Sequence, residues 1–161
     1  MIITTGNGGV VLTNNSKYFS SMRDLRGGSS EGINFDFTMT DLQGAMGLSQ
    51  AAKLKDFIKR RREIAQKYYE SARITSHKPL FPYSESAAYQ TFPLIFDAPS
   101  DRVEKYWKKN GIELDKVIPH PNHEILGYKG FDYPNADRLS KKLFSLPIYP
   151  TLTKKEIDPC A

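Results

Sequence analysis

The sequence has little cysteine and no long apolar run. Cys160 is the only cysteine among 161 residues, which excludes a framework of internal disulfide bonds and a metal site built on several cysteines. No stretch is long and apolar enough to cross a bilayer, and no signal-peptide pattern is present. These absences predict a protein of a reducing compartment, and we expect a cytoplasmic location without membrane contact.

Basic residues only slightly outnumber acidic ones. The 23 basic and 18 acidic residues give a net charge of +5, and hydrophobic residues make up 39% of the chain. This composition is typical of an ordinary globular domain. Part of the basic excess is local, since Lys53, Lys55 and residues 59–62 lie close together. Such a basic run is compatible with binding to an anionic partner, but on a helix it more often forms a solvent-exposed face.

The chain begins with MIITTGNGGVVLTNN, in which Asn7-Gly8 stands between two runs of β-forming residues. This pattern predicts a β-hairpin, because both central residues of a type I′ turn need a positive φ. A phosphate-binding loop is disfavoured, since the Gly-Lys-Ser/Thr ending and the following helix are missing. Next, the apolar spacing predicts a short helix from Ser16 to Arg26, which the Gly-Ser stretch of residues 27–30 ends.

Two capping boxes mark later helices. Thr40 and Gln43 predict the start of a long helix that continues to about Ala72, and Thr153 and Glu156 predict the start of a last one. Between them, the pattern predicts short alternating elements. These are a strand at residues 91–97, placed at a sheet edge because of Pro93, a helix from Ser100 to Gly111, a strand at residues 112–118 and a helix from Asn135 to Phe144.

Several stretches resemble one family when they are taken together in order. They are ITTGNGGVVLTNN, MTDLQGAMGLSQ, KLKDFIKRRREIAQKYY, KKNGIEL, PHPNHEILGYKG and YPNADRLSKKLFSLPIYPTLTKKEID. This order is similar to that of the DegT/DnrJ enzymes, which are pyridoxal phosphate (PLP)-dependent nucleotide-sugar aminotransferases of amino-sugar and polysaccharide biosynthesis.

The resemblance implies an α/β fold, the C-terminal portion of a fold-type I, aspartate-aminotransferase-like PLP enzyme. Its parts would be an N-terminal β-hairpin, a long helix and a small α+β domain. Residues 1–38 would be a remnant of the large cofactor-binding domain. Residues 39–161 would hold the long helix and the small domain.

The resemblance also implies where the catalytic lysine lies. In the family, the lysine that forms the Schiff base with PLP stands just before the Thr-Thr-Gly stretch, a position that falls on Met1 or immediately before it. Methionine can neither bind the cofactor covalently nor carry a proton. We therefore expect no catalytic residue in the printed chain, no PLP bound by it alone, and a C-terminal fragment that is inactive without its other part.

An asparagine that reaches the cofactor phosphate of the neighbouring subunit lies in the family within a stretch that resembles GINFDFTMTDLQ. Alignment without a gap places Asp36 on this position, and a two-residue insertion places Asn34 there instead. The alternatives differ physically, because a carboxylate repels a phosphate whereas an amide donates a hydrogen bond to it. We take both as candidates for cofactor binding and favour Asn34.

The PNH sequence at residues 121–123 resembles a family loop whose histidine faces the cofactor and the sugar. The resemblance therefore implies a substrate-binding role for His123, with His120 as its neighbour; a plain surface loop is the alternative. His77, beside Pro79, is expected to lie in a turn. No metal site is expected.

The resemblance implies a homodimer with its active sites at the subunit boundary and a nucleotide-sugar substrate. Two other interpretations remain open. One is a non-catalytic binding or regulatory module whose basic helix contacts a protein or a nucleic acid, although nucleic acid is not the expected partner. The other is the dehydratase branch of the same family, in which a histidine replaces the lysine.

Overall fold

The chain forms two compact units in a computed structural model that describes residues 2–28, 35–75 and 77–160. The units are Met1–Lys55 and Asp56–Ala161. Their boundary lies within the sequence of the long helix. Among the helices of the described residues, none combines the length and the apolar character that crossing a membrane requires.

The first helix, α1, runs from Ser16 to Arg23. The Asn15 side chain caps it, since its Oδ1 accepts hydrogen bonds from the amides of Lys17 at 3.0 Å and Tyr18 at 3.3 Å. A π-helical turn, Asp24–Gly28, follows, and Gly27 adopts a φ of 125° within it. A positive φ suits glycine. The predicted start at Ser16 and the glycine stop are confirmed, but the α-helix ends at Arg23, three residues before the predicted Arg26.

The predicted N-terminal β-hairpin is wrong. Residues 2–14 contain no strand, and positive φ values occur at Gly6 and Gly8 but not at Asn7, so a type I′ turn at Asn7-Gly8 is absent. Short side-chain bonds shape the segment instead: the Gly6 amide donates to Thr4 Oγ1 at 3.1 Å, and Thr5 Oγ1 donates to the Asn7 carbonyl at 3.0 Å. Such bonds compete with strand pairing.

The long helix, α2, runs from Asp41 to Ala72. Its predicted capping box is confirmed at Thr40, whose amide donates to Gln43 Oε1 at 2.9 Å, while the Gln43 amide donates to Thr40 Oγ1 at 3.3 Å. The box supplies partners for backbone amides that a helix start leaves unpaired.

The second unit is built on a four-stranded antiparallel sheet with the order β1-β2-β4-β3. The strands are β1 (Lys78–Pro79), β2 (Phe92–Ile95), β3 (Asp115–Lys116) and β4 (Leu143–Leu146). The remaining helices are α3 (Ser100–Lys109), α4 (Asn122–Ile125), α5 (Pro134–Lys142) and α6 (Lys154–Ile157). Short 3₁₀ turns form at Gly130–Asp132 and Asp158–Cys160. Glu156 accepts hydrogen bonds from Thr153 at α6, as the second capping box predicts.

Two details of the predicted sheet are wrong. Strand β2 lies between β1 and β4 and not at an edge. Pro93 fits there because its carbonyl accepts from the Leu80 amide at 3.0 Å, which needs no donor on proline. The helix predicted to reach Phe144 ends at Lys142, because residues 143–146 pair with β2.

The core of this unit lies between the C-terminal half of α2 and the sheet. All four residues of β4 are buried. Phe144 packs edge-on against Phe96, with ring centroids 5.9 Å apart, and Tyr68 donates a hydrogen bond to the Pro147 carbonyl at 3.0 Å. The main buried side chains are Ile64, Ala65, Tyr68, Phe92, Leu94, Phe96, Phe144, Leu146 and Ile157.

A buried arginine connects α2 to the segment before β2 and to the segment after β4. Arg61 is 6% exposed, and its guanidinium donates to the carbonyls of Tyr89, Gln90 and Ile148. Burial lowers the pKa of Arg61, because removing a charge from water disfavours the ionised form. Its neighbours are used in the same way: Arg60 donates to the Leu152 carbonyl and Arg62 to the Ala87 carbonyl, both at 2.9 Å.

We predict that Arg61→Met destabilises the protein by about 3 kcal/mol, because buried carbonyls lose their donor. Urea unfolding followed by circular dichroism measures the free energy of unfolding. Lys59→Met is the matched control, since Lys59 is exposed on the same helix, and it should change that free energy by less than about 0.5 kcal/mol. Equal effects of the two substitutions would contradict the structural role of Arg61.

Candidate functional site

The segment between β3 and α5 carries the PNH sequence and folds into one short helix and a tight turn. Helix α4 starts after Pro121, whose φ of −68° suits an extended entry. The turn closes with hydrogen bonds from the Gly127 amide to the Glu124 carbonyl at 3.0 Å and from the Tyr128 amide to the His123 carbonyl at 2.8 Å. Gly127 has a φ of 76°, a conformation that favours glycine.

His123 lies inside this segment and not on its surface. The residue is 6% exposed, and its ring stacks on Tyr133, with centroids 5.5 Å apart and an angle of 21° between the planes. Its Nε2 atom is buried and has no hydrogen-bond partner among the described residues. Buried polar atoms of this kind usually have a partner, so this nitrogen can bind a ligand atom that enters the site.

A cavity of about 420 Å³ opens beside His123. Its volume lies within the range of small-molecule sites. His120 also lines it and is exposed, so the structure brings both histidines that the sequence singled out to one cavity. Their role in substrate binding stays a prediction. The other lining residues are Ile118, Pro121, Asn122, Leu126, Tyr128, Tyr133 and Ala136.

Sequence reasoning did not select the aromatic side chains of this cavity. The rings of Tyr128 and Tyr133 lie 6.0 Å apart, and Tyr133 carries the contact with His123. The signal was present, because Tyr128 and Tyr133 flank Gly130 and follow the PNH sequence closely along the chain. An aromatic stack beside an imidazole can hold the apolar face of a ring-shaped ligand while the imidazole nitrogen fixes its orientation.

Asp36 belongs to the first unit and is fully exposed. Its Oδ1 accepts hydrogen bonds from Thr38 Oγ1 at 2.6 Å and from the Thr38 amide at 3.4 Å. These bonds lower the pKa of Asp36 below its usual value, so the carboxylate is ionised at neutral pH. An ionised carboxylate does not fit the phosphate of PLP. The competing candidate Asn34, like Met1, lies outside the described residues.

A second cavity, of about 570 Å³, lies within the first unit. Val10, Val11 and Phe37 line it and are largely exposed, and Arg23 and Arg26 lie at the same cavity. An exposed apolar surface of this kind favours contact with another protein surface.

A third cavity, of about 300 Å³, includes His77. The His77 ring packs against Phe96 with centroids 4.6 Å apart, and burial lowers the pKa of His77. A histidine held neutral against an aromatic ring contributes packing.

Comparison with known proteins gives a match along the whole chain. The profile of the DegT/DnrJ/EryC1/StrS aminotransferase family matches residues 1–161. The spore coat polysaccharide biosynthesis protein SpsC of Bacillus subtilis is 27% identical, over 97% of this chain and 48% of its own length. GDP-perosamine synthase of Escherichia coli O157:H7 is 26% identical, over 96% of this chain and 46% of its own length. The chain thus spans about half the length of these curated relatives.

The fold is also shared with solved structures. The aminotransferase PseC of Helicobacter pylori, which is involved in the biosynthesis of pseudoaminic acid, superposes with a TM-score of 0.83 at 22% identity. The likeness covers 99% of this chain and 48% of PseC. It shows the fold class that the resemblance implies, a mixed α/β fold corresponding to part of a fold-type I aminotransferase. The chain belongs to the DegT/DnrJ/EryC1/StrS aminotransferase family.

Proposed function

We propose that this chain is the C-terminal part of a PLP-dependent aminotransferase that acts on a nucleotide-linked keto-sugar in amino-sugar and polysaccharide biosynthesis. The observation that carries the proposal is the family match along all 161 residues. The names of the relatives support the substrate class, since one is a GDP-perosamine synthase and another a polysaccharide biosynthesis protein.

The cavity beside His123 is the proposed contribution of this chain to substrate binding. The unpartnered Nε2 of His123 can bond to a substrate hydroxyl, and the stacked Tyr133 holds the imidazole in place. His120, exposed at the same cavity, provides a second polar group. Its exposure suits contact with a polar part of the substrate.

We propose that the printed chain alone does not transaminate. When bound, PLP acts as the electron sink of the reaction and needs a lysine both to attach it and to move the proton. The resemblance places this lysine on Met1 or immediately before it. The proposed activity therefore needs the part of the fold that the printed chain does not span. A histidine at the same position would instead mark the dehydratase branch.

The purified chain, mixed with PLP, an amino-acid donor and GDP-linked or UDP-linked keto-sugars, is predicted to form no amino sugar. Mass spectrometry of the products measures this. Joining the lysine-bearing N-terminal part of the E. coli GDP-perosamine synthase to the chain is expected to give activity. Replacing that lysine with alanine is the matched control and should abolish it. Amino transfer by the printed chain alone would contradict the proposal.

Asn34 is the proposed phosphate-binding residue, because the carboxylate of Asp36 is ionised and bonded to Thr38. In the fusion protein that carries the catalytic lysine, Asn34→Asp is predicted to weaken PLP binding at least tenfold, because it places a negative charge against the phosphate. A tenfold change corresponds to about 1.4 kcal/mol of binding free energy. Asp36→Asn is the matched substitution and should leave the affinity unchanged or higher. Fluorescence titration with PLP measures both, and the reverse order of effects would favour Asp36.

We also propose that the protein forms a homodimer through the first unit. Val10, Val11 and Leu12 are 78%, 73% and 90% exposed, and such apolar surface favours association. Light scattering at high concentration is expected to give the mass of two chains or more, and Val11→Asp should lower it. A monodisperse monomer would contradict this proposal.

The interpretation as a nucleic-acid-binding module receives no support from the basic helix. Arg60, Arg61 and Arg62 each donate to a backbone carbonyl, so this part of the basic run serves the fold. We predict no retention of DNA or RNA at low salt in a filter-binding assay. Retention that falls steeply as salt rises, and that disappears in a Lys53→Gln, Lys55→Gln and Lys59→Gln triple variant, would restore the interpretation.

A further inference from the structure

Three side chains with metal-ligating atoms meet next to the cavity of the second unit. His123 and Glu124 are consecutive residues of α4, and Asp137 lies in the first turn of α5. One ring nitrogen and one oxygen of each carboxylate all lie within 4.8 Å of one another. An ion held at about 2.0–2.2 Å by such ligands keeps them within about 4.4 Å of each other.

The burial of His123 and its unpaired ring nitrogen indicate that this side chain binds a ligand. The residue is 6% exposed, and its Nε2 is buried without a partner among the described residues. Leaving a buried polar atom unpaired costs stability, and a neutral imidazole nitrogen is the commonest metal ligand in proteins. The stacked Tyr133 ring, 5.5 Å away, limits rotation of the imidazole, so its orientation is set before an ion arrives.

Gly130 makes room for the carboxylate of Asp137. A Cβ atom at this position would lie 2.9 Å from Asp137 Oδ1 and 3.1 Å from its Cγ. Gly130 is not among the glycines with a positive φ, so the close approach of Asp137, and not the backbone conformation, explains the need for glycine. Lys141 donates to Asp137 Oδ2 at 2.8 Å, which leaves the other oxygen for a ligand.

We propose that His123, Glu124 and Asp137 bind one divalent transition-metal ion, with Zn²⁺ as the reference ion. One imidazole and two carboxylates suit Zn²⁺ or Mn²⁺ better than Mg²⁺ or Ca²⁺, which prefer ligand sets made of oxygen alone. The ion links α4 to the start of α5. It takes the unpartnered Nε2 of His123, so the ion and the substrate hydroxyl proposed above are alternative ligands of that atom. Zn²⁺ binding is tested without the aminotransferase activity, and the inference revises the expectation of no metal site.

Isothermal titration of the full chain with Zn²⁺ at neutral pH tests the site. We expect one ion per chain. Glu124→Gln and Asp137→Asn should each weaken binding by at least about tenfold, the smallest effect usual even for loss of an outer partner of a metal site. Glu124 is exposed, so its substitution does not endanger folding, whereas His123→Gln alters a buried residue and needs a circular dichroism check.

Two matched controls and one further variant sharpen the test. Glu113→Gln and His120→Gln replace an exposed carboxylate and an exposed imidazole outside the cluster and should leave the affinity unchanged. Gly130→Ala should weaken binding by displacing Asp137 without removing a ligand. The proposal is overturned if the chain binds no Zn²⁺, or if the ion binds equally well to the Glu124, Asp137 and Gly130 variants.

Discussion

The bonds from the buried Arg61 guanidinium to the carbonyls of Tyr89, Gln90 and Ile148 are the constraint on which the second unit depends. They tie α2 to the segments next to β2 and β4, where the central strands of the sheet meet the core. A buried charge with few partners is costly, whereas one that satisfies several carbonyls specifies a single arrangement of the chain. The sheet held in this way in turn carries the segment with His123, which follows β3.

The basic run of α2 therefore has a structural explanation that its composition did not reveal. From the sequence, residues 59–62 could form a solvated face or a contact surface for an anion. The structure uses three of these four residues as donors to the backbone of other segments. Periodicity cannot distinguish these cases, because a carbonyl partner 28 or 87 residues away leaves no local mark in the sequence.

Features that depend on residues close together in the sequence were predicted well, whereas features that depend on contacts between distant segments were not. The capping boxes at Thr40 and Thr153 depend on residues three positions apart, and both are present. The hairpin around Asn7 failed because a strand also needs a paired neighbour, which the described residues do not supply. In the site, the PNH sequence predicted His123. Tyr133, Asp137 and Gly130 were not predicted, because the turn after α4 is what brings them close to His123.

We propose that the residues of this chain shape a site whose covalent cofactor chemistry belongs to the rest of the fold. Borohydride reduction in the presence of PLP, followed by peptide mass spectrometry, tests this proposal. In the lysine-containing protein, we expect one stoichiometric pyridoxyl label, on a lysine outside residues 2–161. A stoichiometric label on a single lysine within these residues, in a chain that transfers amino groups before the reduction, would contradict this proposal.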